Sequence, residues 1–307
     1  MVPKGIAGVA RSKGGVTCLR LSVAMRHAGM IPAAPGKSAE NDQIPVSESF
    51  EETLARLSRM PKFLPDWHEG QRAMPNEILR SALFNCRNRN QPRLYMKDTE
   101  IAMIGDGQVI YRGEELRQDD ELVWLHLIHL VKRLPLGECV EFTPYAFVKA
   151  LGWPIKGQSY ERLRIILSRM QATAIRIQSR RLGCFISVSL ITKFRSRNDQ
   201  NVNLFRWQVW VGEEMRLLFD EEFLTRINWE IRKSLPDGIA SKLFGYWASH
   251  RHPFPVKVET LHKLCGSEMT IKHFKIELKK SLDLLAEVRF LESWEFREGL
   301  VAVKRGY

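Results

Sequence analysis

Hydrophobic and polar positions follow the same succession of periods twice along the chain. In each copy a helical period gives way to a short alternating stretch, then to two helical periods separated by a glycine, and finally to alternation with a period of two. The first copy extends from Asp119 to about Val211 and the second from Asp237 to Arg305. Both predict helix, strand, helix, glycine turn, longer helix and β-hairpin. A helix-turn-helix followed by a hairpin is a winged helix, so the sequence predicts two of them in tandem.

The first copy has arginines at positions where a winged helix can meet DNA. Its longer helix carries Arg162 and Arg169 on the face opposite its apolar stripe. Three alternating stretches follow up to Val211 and predict a three-stranded wing, with Arg195 and Arg197 around its second turn. We therefore expect these four arginines to contact DNA.

The second copy has the clearer DNA-reading helix. Between Thr270 and Val288 the apolar residues form one helical stripe, and Lys272, Lys275 and Lys279 form another at i, i+3 and i+7. Most lysine stripes are simply solvated, but the preceding glycine turn and the following hairpin favour docking in the major groove. Lysine binds phosphate readily and reads bases less specifically than arginine. The residues predicted to contact DNA here are Thr270, Lys272, His273, Lys275, Lys279, Lys280 and the wing residue Arg297.

The chain ahead of the first copy predicts little regular structure. Residues 1–45 contain Gly, Pro, Ala and Ser without a sustained apolar period, which is typical of a flexible arm. A short amphipathic helix is compatible with Glu48 to Arg59, before Pro61 and Pro65 interrupt it. We predict an α+β fold with a disordered basic N-terminal arm. Its domains would be the arm at 1–70, an N-terminal winged-helix domain at 71–212 and a C-terminal one at 213–307.

The net charge indicates the class of partner, and the cysteines bear on disulfides and metal sites. The net charge is +12, which implies an acidic partner such as nucleic acid or an anionic membrane surface. Six basic residues precede the first acid, Glu40, so half of the excess lies ahead of that residue. That acid-free segment is compatible with a basic arm, an upstream start codon or an organelle transit peptide. The five dispersed cysteines predict neither a disulfide framework nor a zinc site, and no apolar run reaches the ~20 residues that span a bilayer.

Catalytic chemistry is not indicated by any motif. The sequence His250-Arg251-His252 invites comparison with the paired histidines that hold a metal in DNA-nicking replication enzymes. Those histidines flank a hydrophobic residue on a strand, whereas Arg251 stands between these two and Pro253 follows. No phosphate-binding glycine loop of the P-loop type occurs. We therefore expect no enzyme activity, catalytic residue, metal or cofactor.

Several longer motifs of the chain are characteristic enough to compare with a known family. They are Arg72-Ala73-Met74-Pro75-Asn76, Arg80-Ser81-Ala82-Leu83-Phe84, Gly113-Glu114-Glu115-Leu116-Arg117, Asp119-Asp120-Glu121-Leu122-Val123-Trp124, Leu167-Ser168-Arg169-Met170-Gln171-Ala172-Thr173-Ala174, Ser249-His250-Arg251 and Leu261 to Ser267. These motifs resemble the TrfA family of plasmid replication initiators, and the resemblance covers about residues 70–305.

The resemblance implies a cytoplasmic bacterial protein that binds origin repeats (iterons) in double-stranded DNA. It also implies that the protein opens the duplex and recruits the host initiator and replicative helicase, with single-stranded origin DNA as a further candidate ligand. Binding as a monomer and storage as an inactive homodimer are implied as well, with the C-terminal winged helix making most iteron contacts. TrfA proteins can carry a glutamine-led Leu-Ser-Leu-Phe segment that docks on the sliding clamp. Residues 55–61 lack that motif, so the resemblance does not extend to direct clamp binding.

Two other classes of function stay open at this point. A two-domain winged-helix transcriptional regulator would use the same folds to occupy an operator, and autoregulation would combine both activities. A nicking enzyme would require metal-dependent cleavage and a covalent tyrosine adduct. Tandem direct repeats beside an A·T-rich tract would favour initiation, whereas a lone palindrome would favour regulation.

Overall fold

Helices and short strands alternate along the chain in the computed structural model, which describes residues 49–183, 185–197 and 200–306. The predicted arm up to residue 48 lies outside the described residues. The helices are α1 (Phe50–Arg59), α2 (Asn76–Leu79), α3 (Gln118–Val131), α4 (Pro144–Ala150), α5 (Gly157–Gln171), α6 (Trp229–Ser234), α7 (Ile239–Ala248), α8 (Val258–Leu264) and α9 (Ile271–Glu287).

Among the described residues the strands are short and form five separate sheets. Two 3-10 helices, Glu213–Leu218 and Glu221–Phe223, precede the strand that leads into α6. The strands are β1 (Gln71–Pro75), β2 (Phe84–Asn85), β3 (Tyr95–Ile101), β4 (Gly107–Glu114), β5 (Leu116–Arg117), β6 (Cys139–Phe142), β7 (Ala174–Ser179), β8 (Phe185–Val188), β9 (Lys193–Arg197), β10 (Asn203–Trp210), β11 (Leu224–Asn228), β12 (Val256–Lys257), β13 (Leu291–Arg297) and β14 (Leu300–Arg305).

The order of elements predicted for the two copies is present in both. In the N-terminal unit (residues 118–210) α3, β6, α4 and α5 precede the hairpin β9–β10, and in the C-terminal unit (residues 239–305) α7, β12, α8 and α9 precede β13–β14. Their sheets have the orders β6-β10-β9 and β12-β14-β13, with antiparallel pairing throughout. In each unit the strand after the first helix therefore pairs with the last strand of the hairpin.

The turn between the second and third helices of each unit depends on glycine. Gly152 and Gly266 have φ angles of +72° and +57°, a region that side chains with a Cβ rarely adopt. Each lies two residues beyond the last residue of its helix, where a left-handed residue commonly ends an α-helix. This conformation turns the chain toward α5 in one unit and α9 in the other.

The predicted three-stranded wing of the N-terminal unit is wrong. Strands β7 and β8 pair with β3 and β4 in a separate four-stranded sheet of order β3-β4-β7-β8, which leaves only β9 and β10 in the wing. Buried Val109 lies opposite Ile177, and buried Tyr111 opposite Ile175. Burial of matched apolar residues across β4 and β7 explains why that pairing is favoured.

Residues 49–70 correct the predicted extent of the flexible arm. Helix α1 is amphipathic, and Leu57, Leu64 and Trp67 are buried in the core. The Trp67 indole N–H donates to His129 Nδ1 at 3.0 Å, which ties this segment to α3. The prolines and polar residues of this segment predicted an irregular structure. The contacts that order it come from α3, about sixty positions further along the chain, which no local pattern indicates.

The two predicted domains share contacts within one compact unit that contains every described residue. Strand β1 pairs antiparallel with β11, from Gln71 opposite Asn228 to Pro75 opposite Leu224. Residues 224–234 therefore pack on the N-terminal half of the chain, although they follow the boundary predicted at 212. That division into domains stays a prediction. Within the described ranges, no helix is long and apolar enough to cross a membrane.

Candidate nucleic-acid interface

Helix α9 presents the outward lysine face that the sequence predicts. Four apolar residues with no exposed surface hold its inner face against the C-terminal unit: Phe274, Leu278, Leu282 and Leu285. On the outer face Lys272 and Lys279 are exposed, and Lys275 is half-buried. Exposed Ile276 interrupts this face with an apolar surface. The helix therefore combines a fixed position with outward cations, as insertion into a groove requires.

The N-terminus of α9 is capped by one of the predicted contact residues. Thr270 is exposed, and its hydroxyl accepts a hydrogen bond from the His273 backbone N–H at 3.4 Å. The His273 side chain is also exposed. Both side chains therefore lie at the end of the helix that enters a groove first in helix-turn-helix proteins.

A cation–π contact connects the lysine face with the hairpin β13–β14. The Lys279 ammonium lies 5.4 Å from the centroid of the Phe296 ring on β13. Arg297, at the end of the same strand, is exposed and pairs with Glu295 at 2.5 Å. Lys280 is exposed too and pairs with Glu277 at 2.8 Å. Exposed ion pairs of this kind contribute little to stability, so these cations can exchange a carboxylate for a phosphate.

In the N-terminal unit the structure places Arg195 and Arg197 at exposed positions on β9. The Arg197 guanidinium donates to the side-chain oxygens of Asn201 and Asn203, at 2.9 and 3.2 Å. Asn201 lies in the turn between β9 and β10, and Asn203 is the first residue of β10. These two arginines therefore lie on the wing, as predicted, although that wing has two strands of its own instead of three.

Arg169 is buried, so its predicted contact with DNA is wrong. Its side chain is only 7% exposed, and its guanidinium pairs with Asp120 at 2.6 Å and with Glu114 at 3.1 Å. Arg162 pairs with Asp119 at 3.1 Å and lies 4.3 Å from the centroid of the Trp153 ring, while 37% of its side chain stays exposed. Of these two arginines, Arg169 is the one that the fold withdraws from the surface.

The two carboxylates that pair with these arginines have pKa values shifted in opposite directions. Burial raises the pKa of Asp120 to about 6, and the neighbouring charge of Asp119 adds to that increase. Burial would also raise the pKa of Asp119, but Arg93 and Arg162 hold it below its usual value. Arg93 pairs with both carboxylates, at 3.0 and 2.6 Å. This cluster at the start of α3 therefore has a structural role in fixing α5.

Arg164 is a further exposed arginine of α5, at a position equivalent to one of the lysines of α9, and the sequence analysis did not identify it. The buried residues of α5 have the same spacing as those of α9, and matching the two sets places Arg164 at the position of Lys279 and Arg169 at that of Leu284. Gly157 and Tyr160 then occupy the positions of Lys272 and Lys275. The buried residues that define this match are Ser159, Leu163, Leu167 and Met170 in α5, and Phe274, Leu278, Leu282 and Leu285 in α9. The shared spacing of these buried positions is visible in the sequence and could have identified Arg164 as a candidate DNA contact.

The His250 side chain is hydrogen-bonded within its own turn of the chain and is not grouped with other described metal-binding side chains. Its Nδ1 lies 2.9 Å from the Tyr246 carbonyl oxygen and 3.0 Å from the Ser249 hydroxyl, and burial lowers the pKa of His250. Throughout the part of the chain that the structure describes, no three His, Cys, Asp or Glu side chains are arranged to hold a metal ion.

Comparisons with known proteins match most of the chain. The family model described as TrfA protein matches residues 54–305. A plasmid replication initiator protein TrfA from Escherichia coli is 39% identical over 243 residues, which are 78% of this chain and 63% of that protein. The chain thus spans less than two thirds of the length of that relative. The crystal structure of domains 2 and 3 of RctB has a TM-score of 0.53 at 13% identity, and the match covers 75% of this chain and 96% of that one. At this identity the likeness shows a shared fold alone.

Proposed function

Because this chain belongs to the TrfA family, we propose that it initiates plasmid replication by binding repeated origin sequences, iterons, in double-stranded DNA. The observation that carries the proposal is the lysine face of α9, with Lys272, Lys275 and Lys279 outward from a fully buried apolar stripe. The relative at 39% identity is itself named a plasmid replication initiator. A basic helix on a small α+β unit suits a partner that carries one negative charge per phosphate.

Each unit would act as a winged helix. In both, the strand after the first helix closes a three-stranded sheet with the hairpin, and a helix-turn-helix lies between them. Helix α9 would enter the major groove while Arg297 on the hairpin approaches the neighbouring backbone. The C-terminal unit would provide most of the affinity, because Gly157 and Tyr160 stand where α9 has Lys272 and Lys275.

The N-terminal unit would add a second set of backbone contacts. Its outward cations include Arg164 on α5 and Arg195 and Arg197 on β9. Arginine binds phosphate through a planar fork, which suits these residues to positioning the protein on the duplex. A protein that holds the duplex at two places can then distort the DNA between or beside them.

Initiation would proceed by binding and deformation, without covalent chemistry or a cofactor. Distortion is least costly in A·T-rich DNA with flexible steps, so melting would begin in such a tract beside the iterons. The family resemblance supports recruitment of the host initiator and replicative helicase, binding of the opened single strand, and a homodimer as the inactive form. These events would take place in the bacterial cytoplasm.

The test of this proposal is iteron binding by a triple variant, Lys272→Ala/Lys275→Ala/Lys279→Ala. The matched control, Arg59→Ala/Lys62→Ala/Lys97→Ala, removes three exposed cations that lie outside both units. Gel shifts with the DNA that flanks the gene, as the candidate origin, should show specific binding by the wild type and the control, and none by the lysine variant. A lysine variant that binds as tightly as the wild type would exclude α9 as the recognition helix.

A transformation assay separates initiation from regulation. The candidate origin is placed on a plasmid that the bacterial host cannot otherwise replicate, and the gene is supplied in trans. Initiation predicts colonies with the wild type and with the control triple variant, but none with the lysine variant. Specific gel shifts by the wild type without any colonies would instead support a transcriptional regulator.

A further inference from the structure

The loop over residues 86–92 connects the N-terminal half of the chain with the helix turn of the C-terminal unit. The Cys86 backbone N–H donates to the Cys265 carbonyl oxygen at 2.8 Å. The Arg87 guanidinium pairs with the Glu268 carboxylate at 2.5 Å. Cys265 and Glu268 lie on either side of Gly266, in the turn that leads from α8 to α9. The loop therefore runs beside the N-terminus of the proposed recognition helix.

A buried arginine holds this loop in one conformation. Arg117 is 3% exposed, and its guanidinium donates to the backbone carbonyls of Asn88, Gln91 and Pro92 at 2.7, 3.0 and 3.1 Å. It also pairs with Glu115 at 2.9 Å, which balances its charge in the interior. Three carbonyls anchored to one buried cation leave the loop backbone little freedom.

The side chains on top of the loop point to solvent. Asn88, Arg89 and Asn90 are all exposed, and the Asn90 backbone N–H donates to the Asn88 side-chain oxygen at 2.9 Å. Arg89 and Lys280 line one groove of about 700 Å³ that separates the loop from the flank of α9. Asp237 and Glu277 also line this groove, and Glu277 is the carboxylate that pairs with Lys280.

We propose that residues 88–90 make a third DNA contact, in which the Arg89 guanidinium binds a backbone phosphate next to the base pairs that α9 reads. The proposal rests on the proposed function. A duplex that receives α9 in its major groove must pass the N-terminus of that helix, and this loop lies there. Arginine matches phosphate with paired hydrogen bonds, and the amides of Asn88 and Asn90 can donate to neighbouring backbone oxygens. A contact to phosphate would position the protein without reading a base.

The experiment compares iteron affinity at several salt concentrations for the wild type and Arg89→Ala. The matched control is Lys97→Ala, which removes an exposed cation from β3 in the four-stranded sheet. Loss of one phosphate contact should reduce the slope of log affinity against log salt by about 0.9, while thermal stability is unchanged. The control should keep the wild-type slope. Ethylation of one phosphate should interfere with binding by the wild type and no longer with binding by Arg89→Ala.

The lysine variant of α9 separates the two ways in which this experiment can fail. If the wild type does not bind iterons, the proposed function fails and the third contact fails with it. If the wild type binds, the lysine variant does not, and Arg89→Ala keeps both the wild-type slope and the ethylation pattern, only the third contact is overturned. A reduced slope with Arg89→Ala that is largely restored by Arg89→Lys would support it.

Discussion

The Arg232 guanidinium on α6 lies 2.9 Å from the Glu121 carboxylate on α3, with only 1% and 3% of the two side chains exposed. The same guanidinium donates to the Gln118 carbonyl at 3.1 Å and to the Ser241 hydroxyl at 3.3 Å. Arg232 therefore connects the first helix of the N-terminal unit with the first helix of the C-terminal unit. A mutation that breaks this pair acts on both units together.

Arg232→Met should destabilise the protein by about 3–5 kcal/mol, because it leaves the Glu121 carboxylate buried without a countercharge. The double variant Arg232→Met/Glu121→Leu should recover most of that loss, since a well-packed apolar pair often replaces a buried ion pair without penalty. Urea unfolding of the two single variants and the double variant measures the coupling energy. If Arg232→Met and the double variant were equally stable, the Glu121 carboxylate would not be a buried charge without a partner in the single variant.

Gly266→Ala and Gly152→Ala form a matched pair, because both glycines have left-handed φ angles. Each change should cost about 1–2 kcal/mol from the backbone conformation alone. An added Cβ at Gly152 meets nothing within 4 Å, whereas at Gly266 it would lie 2.7 Å from Asn85 Cβ. Asn85 is held by the Glu115 carboxylate at 2.7 Å and cannot move freely. Gly266→Ala should therefore lose more unfolding free energy in urea. Equal losses would show that Asn85 yields at no cost.

Arg164→Ala and Arg169→Met should separate DNA binding from stability on one helix. Arg164 pairs with Glu161 at the surface, so its removal should leave the melting temperature unchanged and weaken iteron binding several-fold. Arg169→Met should instead lower the free energy of unfolding by about 1–3 kcal/mol, because Asp120 loses one of its two buried arginine partners and keeps only Arg93. Gel shifts and thermal melts of both variants check this. The reverse assignment of effects would restore Arg169 as a DNA contact.

His126 should make the protein less stable as the pH falls. Burial lowers the pKa of His126 to about 3, and the positive charge of Arg72 adds to that decrease. Between about pH 6.5 and 3 the unfolded chain therefore binds a proton at this site that the folded chain does not. As the pH falls through this range, the free energy of unfolding should therefore decrease, and His126 should contribute up to about 1.4 kcal/mol per pH unit to that decrease. Urea unfolding at several pH values should show a shallower decline for His126→Gln, but not for the exposed control His252→Gln.

The local order of elements was accessible from the sequence, because period and capping act over a few residues. Thr143 before Pro144 predicted the start of α4, and the alternation after Phe290 predicted the final hairpin. The face of α9 was predicted for the same reason, since the spacing of its apolar residues fixes which lysines lie opposite them. The family resemblance rested on longer runs of residues and is confirmed by the comparisons.

The arginines of α5 show where this reasoning fails. Arg162 and Arg169 lie opposite an apolar stripe drawn through Tyr160 and Leu163, and that geometry alone predicts exposure. Two carboxylates at the start of α3 reach them from another helix: buried Asp120 withdraws Arg169 from the surface, and half-buried Asp119 pairs with Arg162, which stays 37% exposed. A charge on a helix face is outward only when no buried carboxylate from elsewhere in the chain pairs with it.

The sequence by itself determined the repeated helix–strand–helix–turn–helix–hairpin order, the glycines of both turns and the lysine face of α9. Each depends on backbone preferences or on periodicity within about twenty residues. Only the tertiary structure decided that β7 and β8 join β3 and β4, that β1 pairs with β11, and that residues 86–92 lie beside the N-terminus of α9. Those arrangements bring together residues as many as 181 positions apart, as with Arg87 and Glu268. Their partners are selected by burial and charge across the whole fold, which no local pattern records.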